Sequence, residues 1–120
     1  MQQSVIVLEG KLLEYAAAIA AGEQHAVALQ RVLRGSFKPL SDWSQLGSLI
    51  RHARIQWWND DGIIHAWCGF NFPRAILLQD QEPPKKGECV AYGPTIEVAV
   101  LRVFVLSRKG LVVDVPDELR

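Results

Sequence analysis

The side chains in this sequence that could do chemistry are few. Cys68 and His65, with Cys89 or His52, supply soft donors of the kind that hold zinc or copper. On a strand, however, residues three apart point to opposite faces, and no Cys-x-x-Cys pair is present. A small buried thiol and a half-exposed strand histidine account for these residues equally well, so no metal site is expected. Asp60 and Asp61 form a carboxylate pair, but acids next to a glycine at a hairpin tip are ordinary turn formers. There is no Gly-x-Ser-x-Gly elbow for a nucleophile. Gly10, Gly22, Gly35 and Gly47 are isolated, so they build no phosphate-cradling loop. No catalytic residue, cofactor or enzymatic activity is expected from these residues.

The stretch from Arg31 to Trp58 is different. It holds Arg31, Arg34, Lys38, Arg51 and Arg54 against the single acid Asp42, and it interleaves Trp43, Trp57 and Trp58. Three readings fit. Cations among aromatic rings can follow a phosphate backbone and stack on bases. Trp and Arg also anchor protein interfaces. The plainest reading is core plus ordinary surface, with one of Trp57 and Trp58 buried because neighbouring strand residues face opposite sides. Asp42 would then cap a short helix while Trp43 plugs the edge of the core. Arg31, Arg34, Trp43, Arg51, Arg54, Trp57 and Trp58 are therefore the candidate interaction surface.

The elements that must position these residues follow from composition and pattern. The chain has 120 residues, 49% hydrophobic and 22% charged, with no formal net charge. That is one domain's worth of sequence, large enough to bury a core without a metal or a disulfide. The neutral balance argues against a strongly cationic coat for nucleic acid. No basic leader precedes an apolar run, and Ala16 to Ala21 is far shorter than the roughly 20 residues a membrane span requires. An intracellular protein with reduced cysteines is expected.

Ser4 to Leu8 reads as extended. Leu12, Leu13, Ala16, Ile19 and Ala20 then recur at helical spacing over Gly10 to Ala21, with Gly22 placed as a left-handed stop. Ala26 to Leu33 alternates in the manner of a strand. Pro39 to Trp43 leads into a short helical turn capped by Ser41 or Asp42, weakened by Gly47. Arg54–Trp58 and Ile63–Cys68 flank Asn59-Asp60-Asp61-Gly62, which predicts a hairpin. Phe70 to Leu78 holds Pro73 and reads as an edge strand, Gln79 to Gly87 as a loop around Pro83-Pro84-Lys85-Lys86, and Glu88 to Tyr92 as another strand. A last helix spans Thr95 to Lys109, with Thr95 as cap, Glu97 near its positive end, Arg108 and Lys109 near its negative end, and Gly110 as stop. It is apolar enough to be buried on two sides. Leu111 to Val115 is extended. The order predicts an α+β fold: a mostly antiparallel sheet with helices packed on it, in a single domain.

Three stretches resemble a known family. They are Gly93–Gly110 followed by Val113-Asp114-Val115-Pro116-Asp117-Glu118-Leu119; Leu8-Glu9-Gly10-Lys11-Leu12-Leu13-Glu14-Tyr15 with Gly22; and Ser41-Asp42-Trp43-Ser44-Gln45-Leu46-Gly47 with Leu49-Ile50-Arg51. In this order along the chain they resemble the NinX-like phage and prophage proteins, whose domain is described as a phage ABA sandwich. The resemblance implies helices around a sheet (an α/β/α sandwich) and a phage or prophage accessory gene acting in the cytoplasm of a bacterial host. It carries no biochemical activity with it. The function expected is non-enzymatic binding of a host or phage protein, with no membrane association. Nucleic-acid binding through the basic and aromatic stretch is the alternative. A small-molecule enzyme or binder would need a concave pocket with converging polar groups.

Overall fold

Local capping chemistry decides where the helices begin and end. The structure is a computed structural model that describes residues 1–68 and 89–119. Helix α1 (Gly10–Ala20) ends as Gly22 takes a φ of 102°. The Gly22 and Glu23 N–H groups return to the carbonyls of Ile19 and Ala18 at 3.0 and 3.1 Å, which closes a Schellman motif on otherwise orphaned acceptors. Helix α3 (Trp43–Ala53) starts at Asp42, whose carboxylate accepts from the Ser44 and Gln45 N–H groups. Helix α4 (Ile96–Lys109) starts at Thr95, whose hydroxyl accepts from the Val98 N–H at 3.2 Å. Arg108 and Lys109 fill its last turn. The caps and bounds predicted for α1 and α4 hold.

Two sheets are present among the described residues. Strands β1 (Gln2–Ser4) and β5 (Val112–Asp114) pair antiparallel. Strands β2 (Ile55–Asp60), β3 (Ile63–Cys68) and β4 (Cys89–Gly93) form an antiparallel sheet in that order. Helix α4 lies against all three strands of this sheet and against α1 on its other side, and α2 (His25–Arg34) packs on α1. This burial on two sides explains why α4 is apolar nearly all round, with Ala99, Val100, Leu101, Val103, Phe104 and Val105 buried. The sheet contributes Ile55, Ile64, Ala66, Cys68 and Ala91 to the same core. The expected α+β class with antiparallel pairing is observed.

Three local expectations need correction. Ala26 to Leu33 is helical, not a strand. The alternating pattern there coexists with a four-residue spacing, Ala28 to Val32, and these two residues are the ones α2 buries. Docking on α1 selects the helix, and Gly35 ends it at φ 78°. Second, the stretch from Ser4 to Leu8 leaves the strand early. A 3-10 turn at Val5–Val7 is closed by the Leu8 N–H on the Val5 carbonyl at 3.2 Å. The three-residue spacing sends both Val5 and Leu8 inward and leaves Ile6 and Val7 exposed. Third, the turn after Pro39 continues as an 11-residue helix through Gly47. The Asp42 cap and the burial of Leu46 and Ala53 outweigh the roughly 1 kcal/mol that a mid-helix glycine costs. The strand expected within Phe70–Leu78 and the loop expected over Gln79–Gly87 lie outside the described residues.

Candidate interaction surface

The predicted hairpin forms, and its turn fixes what each face shows. Asp61 and Gly62 both have positive φ, 58° and 87°, the combination of a type I′ turn. The Asn59 carboxamide oxygen accepts from the Gly62 N–H at 3.0 Å and holds the turn. A two-residue loop sets the register, so Trp58 stands opposite His65 and Trp57 opposite Ala66. Across β3, His65 stands opposite Tyr92 and Ala66 opposite Ala91.

Residues directly opposite share a face. Ala66 and Ala91 point at the helices, so Trp57 shares that inner face. Trp58, His65 and Tyr92 share the outer one. There they form a row across all three strands: the Trp58 and His65 rings stack at 5.3 Å and 23°, and His65 meets Tyr92 edge-on at 4.6 Å and 83°. Trp58 is 45% exposed, Tyr92 54% and Ile63 52%. Two charged groups border the row: the Asp60 carboxylate lies 3.9 Å from His65 Nε2, and the Arg102 guanidinium reaches the Tyr92 carbonyl. Beside the row a cleft of about 510 Å³ opens between Ile6, Ile63, Tyr92, Pro94 and Arg102. Arg102 frames it by donating to the carbonyls of Tyr92 and Leu8, both at 3.0 Å.

The expectation that one of Trp57 and Trp58 enters the core is not met. Trp57 remains 38% exposed because, among the described residues, β2 is an edge strand, and its inner-face neighbour is Trp43 instead of the core. The two rings meet edge-on at 6.4 Å and 86°. Trp43 is itself 53% exposed and does not plug the core edge. Asp42 does cap: it also accepts from the Ser44 hydroxyl at 2.7 Å, and that bond leads in holding its carboxyl below the usual carboxylate range.

The seven residues expected to form one surface therefore separate. Trp43 and Trp57 join on the inner side of the hairpin, and Trp58 stacks on the outer side. Arg51 occupies the last turn of α3 and Arg54 caps it with a left-handed φ of 56°. Arg31 pairs with Glu23 and lies over the Phe37 ring at 5.2 Å. Arg34 sits in the last turn of α2. His65 and Tyr92 were absent from the expected surface. Pairing across the Asp-Gly turn could have found His65, whereas Tyr92 depends on the β3–β4 register, which no short-range signal carries.

Sequence reasoning also missed a polar cluster on the opposite side. A cleft of about 380 Å³ lies between α1, the start of α2 and β5, lined by Tyr15, Ile19, His25, Lys109, Val113 and Asp114. The Tyr15 hydroxyl and His25 Nδ1 share a hydrogen bond of 2.6 Å. Burial raises the Tyr15 pKa, and the carboxylates of Asp114 and Glu118 raise it further. A phenol held protonated in this way is a poor nucleophile and a good hydrogen-bond donor, so the pair works as a latch between α1 and α2.

Comparison with protein-family models and with curated proteins returns no match to this chain.

Proposed function

We propose that this protein is a non-enzymatic binding protein that engages another protein through the outer face of the β2–β3–β4 sheet. The observation that carries this reading is the exposed row of Trp58, His65 and Tyr92. Large aromatic side chains with few rotatable bonds are favoured interface anchors, and rings already stacked on one another lose little further freedom on binding. Ile63 and the adjoining cleft extend the row into an apolar patch with a place for an inserted side chain. Asp60 gives its rim a negative charge, which favours a partner with a basic group at that position.

The nucleic-acid alternative is less well supported. Stacking on bases needs cations beside the rings to meet the phosphates. The charge that faces the His65 ring is the Asp60 carboxylate; the Arg102 guanidinium beside Tyr92 is engaged by the carbonyls of Tyr92 and Leu8, and Arg31 is occupied by Glu23 and Phe37. The family resemblance in the sequence supports a phage or prophage accessory role, with a host or phage protein as partner in the bacterial cytoplasm. No helix among the described residues is long and apolar enough to cross a membrane.

The test is capture from a lysate of the cell that carries the gene, with wild-type bait and with Trp58→Ala, Tyr92→Ala and the distant control Gln30→Ala. The proposal expects a partner retained by wild type and Gln30→Ala and lost with both aromatic variants. A set of captured proteins that is identical for all four baits overturns it.

A further inference from the structure

The cleft beside the aromatic row is lined by a cation that has no counterion among the described residues. Arg102 reaches from α4 to β4, where Nη1 donates to the Tyr92 carbonyl and Nε to the Leu8 carbonyl, both at 3.0 Å. A guanidinium has more N–H donors than these bonds use, and among the described residues neither proton of Nη2 meets an acceptor. No described carboxylate lies within ion-pair distance of it, and Glu9 acts on it only from farther away. Burial lowers the Arg102 pKa, which is the mark of a charge partly withdrawn from water. The walls around this charge are apolar: Ile6, Ile63, Val90 and Pro94, with the Tyr92 side chain. Ile6, Ile63 and Tyr92 are each more than half exposed.

We propose that this cleft receives an acidic side chain of the partner protein, with its carboxylate on Arg102 and an adjoining apolar side chain against Ile6, Ile63 and Pro94. The inference rests on the binding reading above and specifies what the partner brings to that surface. Backbone carbonyls orient the guanidinium but leave its charge unneutralised, whereas a carboxylate accepts from it through charge-assisted, forked hydrogen bonds. One cation among apolar walls matches one acid. A nucleic acid brings a run of phosphates and needs several cations. Ile63 and Tyr92 belong both to the cleft and to the exposed patch, so an occupant of the cleft that also lies against the patch is part of a larger chain and not a free small acid. Asp60 at the β2 side and Arg102 at the β4 side give the surface opposite charges at its two ends, which selects one orientation of the partner.

NMR titration of the isotope-labelled full chain with the blocked peptide acetyl-Ala-Leu-Glu-Ala-amide tests the proposal. The backbone resonances of Ile63 and Tyr92 and the Nε–H of Arg102 are expected to shift saturably. The glutamine counterpart of the peptide has the same shape without the charge and is expected to bind about threefold to tenfold more weakly. Added salt should narrow that difference. Arg102→Gln, checked for folding by circular dichroism, should bind the two peptides alike. The comparison of peptides on the wild-type chain stands even where that variant fails to fold. Absence of any shift, equal binding of the two peptides by wild type, or tighter binding of hexanoate or an oligothymidylate at the same resonances overturns the proposal. The titration needs no captured partner, so this inference can fail while Trp58→Ala still abolishes capture, and the reverse.

Discussion

Replacing Gly93 with alanine tests how closely the sheet and α4 approach each other. Gly93 ends β4 on the inner face, opposite Ile64, and the chain turns from it into α4. A Cβ added there would lie 2.7 Å from the Ala99 nitrogen, 3.0 Å from Val98 Cγ1 and 3.2 Å from Ala99 Cα. Ordinary contacts begin near 3.4 Å, so strand and helix must separate by more than half an ångström at the nitrogen. That nitrogen belongs to the first turn of α4 and donates to the Thr95 carbonyl at 3.1 Å, so it cannot yield as a flexible side chain would. Overpacking of this kind costs about 1–3 kcal/mol. For a chain of this length the thermal midpoint should fall by roughly 5–15 °C. Urea unfolding should show a lower midpoint at unchanged slope. Gly47→Ala is the companion measurement. Gly47 is mid-helix with no heavy atom within 4 Å of an added Cβ, so alanine there should stabilise by about 0.5–1 kcal/mol. An unchanged midpoint for Gly93→Ala, or a lowered one for Gly47→Ala, refutes the packing described at these positions.

Further outcomes follow from the core and the polar contacts. Glu14 is buried on α1 and its carboxylate accepts from the Leu40 N–H at 3.1 Å; desolvation raises its pKa, opposed by that bond and by Lys11. A carboxyl with a raised native pKa binds its proton more tightly folded than unfolded, so its contribution is full below the unfolded value of about 4.5 and is lost as pH rises through the native value. Glu14→Gln keeps an acceptor for Leu40 and should flatten that decline in a series of urea titrations at increasing pH. A decline as steep as wild type's refutes the assignment. Leu46→Ala removes a fully buried side chain of α3 and should cost about 2–5 kcal/mol by denaturant titration, with a loss below about 1 kcal/mol showing that α3 is not docked as described. Tyr15→Phe breaks the bond to His25 at nearly constant volume and should cost about 0.5–1.5 kcal/mol, whereas no loss would show that the α1–α2 latch is absent.

The features readable in advance are those fixed by short-range chemistry. Asp61-Gly62 specifies a type I′ turn whatever surrounds it, and the turn specifies the β2–β3 register. Thr95, Glu97, Arg108, Lys109 and Gly110 bracket α4 by cap and dipole preferences, which outweigh the strand tendency of its valines. Helix α2 was illegible because ten residues satisfy both periodicities, and α1, a neighbour in space, decides between them. The tryptophans failed for another reason. Alternation along β2 correctly separates Trp57 from Trp58, but burial depends on β2 lying at the edge of the sheet among the described residues, which is a property of topology. The aromatic row needed β4 beside β3, a pairing between segments about 25 residues apart, where loop closure leaves no local trace. Tyr15, His25 and Asp114 meet for the same kind of reason, since β5 reaches α1 through its ladder with β1 and through the packing of α4 on α1.

The central claim is that the outer aromatic row is where this protein meets another. The most direct measurement places a photo-crosslinking amino acid at position 92, and in a separate protein at position 30 on the exposed side of α2, inside living cells that carry the gene. The account predicts a discrete cross-linked protein band at position 92, absent at position 30 and abolished by adding Trp58→Ala. Cross-links that are the same at both positions, or that survive Trp58→Ala undiminished, contradict it.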